Sequence, residues 1–264
     1  LVADLCAKAD YAPDPEQELI LDNVFAIRPD GKSAAFECDL IGPRQNFKTA
    51  VLKMIELGWL FVTKQRLIIH SAHELGTTEE TFRETATLIE DHPFLSRHLK
   101  SSRGERPGIT SGNGRWAIEL VGDRRLRYRA RQATGGRGLT GNKVVLDEFF
   151  AVTPAVIGSL YPTLSAVPDP QVVSASSAGL LMSEALRDKR GRGRAGPTWN
   201  QFYLEFTDLL QPVHGKPYTG CRDPLCTHAK TAVGCRLDDE EVWASIMSAL
   251  GSRVLPETIR SLRQ

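Results

Sequence analysis

The stretch Gly42-Pro43-Arg44-Gln45-Asn46-Phe47-Lys48-Thr49 places a lysine and a threonine directly behind a short loop that opens on glycine. Against the pattern GxxxxGK[ST] it agrees at Gly42, Lys48 and Thr49 and departs at Phe47, where the pattern has glycine. A loop of this kind at a helix start turns backbone N–H groups toward phosphate oxygens. Its lysine adds a point charge, and its threonine hydroxyl can ligate Mg²⁺. Glycine reaches unusual backbone conformations more easily than phenylalanine does, so Phe47 is expected to supply that geometry at some cost. Taken alone, the stretch also reads as a basic turn that caps a helix.

A second pattern lies well downstream, where Val144, Val145 and Leu146 run into Asp147 and Glu148. An apolar strand that delivers adjacent acids at its C-terminal end puts them where α/β sheets bind ligands. The first acid would help to hold Mg²⁺, and the second would orient and deprotonate an attacking water. A strand followed by a solvated cap is the plainer alternative; the phosphate-type loop upstream favours nucleotide hydrolysis. Arg137 stands among Gly135, Gly136 and Gly138, a setting that can project a guanidinium toward a transferring phosphoryl group or can simply be a surface loop. Ser174, Ala175, Ser176 and Ser177 end another short apolar run, and a hydroxyl there could sense a terminal phosphate.

Two basic stretches have types suited to nucleic-acid phosphates. Arg125, Arg127, Arg129 and Arg131 alternate and share one face if extended, and Arg187, Lys189, Arg190, Arg192 and Arg194 crowd a glycine-rich segment. A solvated face is the alternative for both. Cys221, Cys226, His228 and Cys235 have the residue types of a Cys₃His zinc site, although the spacing is unusual and reduced, unliganded cysteines fit equally.

The elements that must position these residues alternate between helical and extended patterns, which predicts an α/β protein with a mainly parallel sheet. A helix is expected over residues 15–27, then a strand over 33–41 entering Gly42. A helix over 48–57 follows, stopped by Gly58. Next come a strand over 66–71, a helix over 78–89 closed by Pro93, and a loop over 101–114. Paired strands over 116–121 and 125–131 join at Gly122 and Asp123. Strands over 143–146 and 171–175 and a basic loop over 187–197 complete the pattern. A composition change near Gly196 divides a core, 1–197, from a small C-terminal subdomain, 198–264.

The formal net charge of +1 over 264 residues excludes a general polyanion-binding field, so any nucleic-acid contact must be local. No apolar run approaches the roughly 18–20 residues of a membrane span, so no membrane partner is expected. Five cysteines, an odd number, do not read as a disulfide framework. The start at Leu1, with no Met and no signal-peptide pattern, reads as a domain excised from a longer chain.

With Arg44 at its third place, the loop from Gly42 to Thr49 resembles the variant phosphate loop of tailed-phage large terminase subunits. The resemblance extends, in the family's order, from Gln17 through Gly136-Arg137-Gly138 and Asp147-Glu148 to Ser174–Ser177. It implies a RecA-like (ASCE) P-loop ATPase core with residues 198–264 as a lid, and ATP and Mg²⁺ as cofactors. By the same resemblance, Gln17 would contact adenine, Ser176 would belong to a coupling motif, and Arg137 would act in trans on a neighbour's ATP. The partners implied are double-stranded DNA, a portal, a small terminase subunit and further copies in a ring, in the host cytoplasm. Family members continue into a nuclease, and no second acidic metal-binding unit fits after Glu241, so this chain is expected to be the ATPase part alone. A helicase-like translocase and a nucleotide-gated binding module without turnover are the competing functions.

Overall fold

The structure, a computed structural model, describes residues 1–101, 106–112, 114–131, 141–207 and 238–262. It is a mixed α/β protein that divides into two compact units, Leu1–Leu40 with Lys48–Leu204, and Ile41–Phe47 with Glu205–Gln264. No helix among the described residues is long and apolar enough to cross a membrane.

The chain begins with α1 (Val2–Lys8) and α2 (Pro15–Val24). Asp14 starts α2 for a definite reason: its carboxylate accepts the Gln17 N–H, Gln17 Oε1 accepts the Asp14 N–H, and Pro15 follows with its φ already helical. Then come β1 (Glu37–Ile41), α3 (Lys48–Leu57), β2 (Leu67–Ala72), α4 (Leu75–Asp91) and α5 (Pro93–Ser96). Three strands follow, β3 (Ile109–Gly112), β4 (Arg115–Leu120) and β5 (Arg124–Ala130), and after them β6 (Lys143–Leu146), α6 (Pro154–Leu164), β7 (Gln171–Ser176), α7 (Glu184–Ala195) and β8 (Gln201–Glu205). The last helices are α8 (Glu240–Ile246) and α9 (Pro256–Leu262).

The strands form one sheet in the order β3-β4-β5-β2-β6-β7-β1-β8. β2 pairs parallel with both β5 and β6, and β6 pairs parallel with β7, so the C-terminal ends of these four strands lie along one edge. The central strands are buried throughout, which is why they read as continuous apolar runs. β3, β4 and β5 form an antiparallel extension, joined between β4 and β5 by a turn with Gly122 and Asp123 at positive φ.

Three expectations need correction. Gly58 does not stop α3: the chain continues through a single π-helical turn, Gly58–Val62. The glycine serves packing, because a Cβ there would lie 2.4 Å from Phe25 and 2.9 Å from Val2. The loop expected over 101–114 contains β3, an edge strand that hides from periodicity because Ile109 alone of its four residues is buried. The basic loop expected over 187–197 is mostly helix α7. Ala185, Leu186, Lys189 and Gly193 supply its buried stripe, and Gly193 is needed because a Cβ there would sit 2.2 Å from the Tyr203 ring.

Lys189 anchors α7. It is 2% exposed, donates to Asp39 Oδ1 at 2.7 Å and lies 3.4 Å from Glu37 Oε2, while Gln201 Nε2 donates to Asp39 Oδ2 at 2.8 Å. A buried cation is thus paired with two carboxylates of β1, the strand that leads into Gly42.

The second unit is held by its own contacts. Phe206 N–H donates to Ile41 O at 2.8 Å, and Asn46 Oδ1 accepts from Ser248 Oγ and the Ala249 N–H, both at 3.0 Å. Arg260 of α9 pairs with Glu240 of α8.

Candidate functional site

β6 ends among the parallel strands and carries Asp147 as its next residue. Asp147 is 7% exposed, its N–H donates to Ser71 O at 2.9 Å, and its Oδ1 accepts the Glu148 N–H at 2.7 Å. Burial lifts the carboxyl above the ordinary value; the charges of His70 and Arg131 and the bond from Glu148 N–H work against that without cancelling it.

Glu148 adopts φ 50 and ψ 48, the left-handed region that a non-glycine residue enters at a cost. The conformation turns the chain sharply after Asp147, and the side chain reaches β2's end, where Oε2 accepts N–H groups of His73 at 3.0 Å and Glu74 at 3.4 Å. Arg131 holds the turn from behind. Its guanidinium donates to the carbonyls of Asp147 at 2.5 Å and Glu148 at 3.0 Å, and also to Ser71 O. Burial brings its pKa down to about 10, opposed by the charges of Asp147 and Glu148.

The alternation of arginines therefore splits. Arg125, Arg127 and Arg129 do share the outer face of β5, opposite buried Leu126 and Tyr128, whereas Arg131 lies past the strand and braces the acidic turn. No sequence signal separates Arg131 from its neighbours, because the alternation simply continues through it.

Sequence reasoning also missed a buried polar cluster behind the acids. Glu56 of α3 and His70 of β2 are both fully buried, with Glu56 Oε1 2.5 Å from His70 Nδ1, and Tyr128 OH donates to Glu56 Oε2 at 2.9 Å. In the parallel register Tyr128 stands beside His70, so the cluster bridges α3 to two neighbouring strands, β2 and β5. The signal was present: Glu56 falls four residues after Leu52 on the apolar face of α3, and His70 interrupts an apolar strand.

Burial would lower the pKa of His70, but the charge and bond of Glu56 and the charge of Asp147 outweigh it and raise the value. A raised folded pKa adds stability in full below the unfolded value, about 6.5, which is lost as pH rises through the folded value. Urea midpoints of the wild-type domain should therefore fall above about pH 6.5, and His70→Gln should remove that component. Equal pH slopes in the two proteins would contradict it.

The other sequence-derived residues are placed as follows. Gln45, not Phe47, carries the positive φ of the loop, at 56°. The expectation that Phe47 supplies a glycine-like conformation is thus corrected: its ring is fully buried, 5.2 Å from that of Phe206, and a Cβ on Gly42 would stand 2.8 Å from it. The loop accepts phenylalanine at its sixth place because the left-handed residue is the fourth. Arg44, Gln45 and Thr49 are exposed, Pro43 and Lys48 are half-buried, and Asn46 is buried. Gln17 is 1% exposed, and its Nε2 has no hydrogen-bond partner. Ser176 Oγ donates to Ser177 O at 2.8 Å, while the buried Ser174 hydroxyl has no partner. Arg137, Cys221, Cys226, His228 and Cys235 lie outside the described residues. Among the described residues, no group of three or more His, Cys, Asp or Glu could hold a metal ion.

No family model matches the chain, and no curated protein does. Solved structures do. The large terminase of bacteriophage HK97 superposes with a TM-score of 0.71 at 15% identity, covering 95% of this chain and 46% of that one. The large terminase of a thermophilic bacteriophage superposes with a TM-score of 0.50 at 10% identity, covering 73% of this chain and 45% of that one. In fold, therefore, this chain is similar to the bacteriophage large terminases and spans a little under half the length of either.

Proposed function

We propose that the chain is the ATP-hydrolysing motor domain of a viral terminase large subunit, which drives double-stranded DNA into a prohead. The observation that carries this reading is the strained Glu148, braced by Arg131 directly after buried Asp147 at the sheet edge where α/β proteins bind ligands. Strain held in place by a dedicated side chain is what a preorganised catalytic carboxylate requires.

In this reading the loop from Gly42 to Asn46 cradles the phosphates, with Arg44 and Lys48 supplying positive charge. Gln17, whose buried Nε2 has no hydrogen-bond partner, is the residue this reading assigns to adenine. The Asp147 carboxylate and the Thr49 hydroxyl are hard oxygen donors, the set Mg²⁺ prefers. Mg²⁺, when bound, neutralises charge on the phosphates. Glu148 orients the attacking water and takes its proton. Arg137 would act on a neighbouring copy's nucleotide, and a ring, a portal and a small subunit would complete the motor in the host cytoplasm. Arg125, Arg127 and Arg129 on the outer face of β5 are our candidates for contact with DNA phosphates.

The test is steady-state ATP hydrolysis over a wide range of protein concentration, with Lys48→Ala beside wild type. Specific activity should rise with concentration as copies assemble, and Lys48→Ala should lose both hydrolysis and most ATP affinity. ATP binding with no hydrolysis at any concentration would replace the motor with a nucleotide-gated binding module.

A further inference from the structure

At the end of the sheet opposite Asp147 and Glu148, a cavity of about 590 Å³ opens between α1, α5, the π-helical turn and the turn joining β4 to β5. Its position follows from topology: Arg124 begins β5 and Lys64 precedes β2, whereas Asp147 follows the far end of parallel β6. The walls are of two kinds. Leu5, Phe61, Phe94 and Val121 give an apolar floor, with Val121 47% exposed. Lys64, Arg97 and Arg124 rim it, and among the described residues no Asp or Glu lines it.

The rim is preorganised. Arg124 Nη1 donates to Leu60 O at 2.7 Å and Nε to Val121 O at 3.1 Å, which fixes the guanidinium over the opening. Leu60 lies within the π-helical turn, so the feature that replaced the expected stop at Gly58 also presents Phe61 to the cavity. Phe61 packs against His98, with ring centroids 6.0 Å apart, and the Val121 N–H donates to His98 O at 2.9 Å. Lys8 lies 4.7 Å over the ring of Phe94 and adds a further cation beside the floor. The imidazole of His98 reports the local field: burial lowers its pKa, and Arg97, Arg124 and Lys64 lower it further.

We propose that this cavity docks an acidic amphipathic segment of a partner protein, whose large apolar side chain fills the floor while flanking carboxylates pair with Lys64, Arg97 and Arg124. Charge complementarity selects the occupant. Three cations with no carboxylate among the described lining residues call for acids, and the apolar floor calls for a side chain that a nucleic-acid backbone does not have. The cavity lies away from the acidic strand end, so docking leaves that end open. This inference does not depend on the proposed ATPase activity.

The test is fluorescence anisotropy with a labelled twelve-residue peptide carrying Leu and Phe at helical spacing and Glu elsewhere. A second peptide has Ala at every apolar position, and a short DNA duplex serves as competitor. The amphipathic peptide should bind, and Lys64→Glu with Arg97→Glu should weaken it at least about tenfold, the scale of 1.4 kcal/mol. Val121→Asp and the Ala peptide should each cause a comparable loss. Both altered side chains of the charge-reversal variant are exposed, so its circular dichroism should match wild type. No binding by wild type, equal binding by the charge-reversal variant, or equal binding of the Ala peptide would each overturn the proposal. So would displacement of the peptide from wild type by duplex DNA, together with direct binding of labelled duplex that is lost in the charge-reversal variant, since that would make the cavity a nucleic-acid site.

Discussion

Glu148→Gln is expected to cut steady-state ATP hydrolysis by about 10²–10⁴-fold, the range for removing a positioned general base. The amide keeps the shape of the side chain, and its oxygen can still accept the N–H groups of His73 and Glu74 that now meet Oε2. The left-handed backbone and its brace from Arg131 act on main-chain atoms, so they survive the change. What is lost is the capacity to take a proton. ATP affinity should therefore stay near the wild-type value, and pre-steady-state mixing should show binding without a burst of phosphate. Turnover within a few fold of wild type would remove Glu148 from the role of base and leave its backbone strain without a catalytic purpose.

Lys189→Ala is expected to destabilise the domain by about 3–5 kcal/mol, the usual cost of removing one partner from a buried ion pair. Asp39 is 1% exposed and would keep only Gln201 as a hydrogen-bond donor, and Glu37 would face it without the intervening cation. In a chain of this size the loss corresponds to a fall in Tm of roughly 6–20 °C. The sharper check is the pair. Asp39→Asn in a Lys189→Met background should recover part of the loss, because the uncompensated charge goes with it, whereas additive losses would show that the two residues are not coupled.

The two largest effects come from residues of unequal legibility. The place of Glu148 was readable, because an apolar run ending in two acids marks a strand end, and β6 ends there. Lys189 was not. Its neighbours Arg187, Arg190, Arg192 and Arg194, with Gly191 between them, present a composition that suits a solvated loop. The helix forms because of partners distant in sequence, Asp39 and Tyr203, which no local window contains. β3 escaped for a related reason: an edge strand whose outer residues face solvent needs no alternation, and its existence depends on pairing with β4. The elements with strong internal periodicity, α3 and the strands β2, β5 and β6, fell where their apolar residues put them, within a residue or two at the ends.

In the loop from Gly42 to Thr49 the match to a pattern was less informative than the departure from it. Phenylalanine in a glycine's place implied strain at that residue; instead the chain moved the left-handed residue to Gln45 and used the ring as filling over Gly42. Arg131 shows the opposite limit. Its type and spacing were legible and suggested a surface role, and only the end of β5 at Ala130 turned it inward.

The left-handed Glu148 also sets the terms on which this domain can evolve. A glycine at that position would relieve about 1 kcal/mol or more of backbone strain and keep the carbonyls that Arg131 grips. Where that relief outweighs the loss of the Oε2 bonds to His73 and Glu74, selection for heat resistance alone would favour the very replacement that deletes the carboxylate. Engineering that improves this fold without an activity screen should accumulate glycine or asparagine at position 148, and the second of the paired acids after β6 would be lost unnoticed.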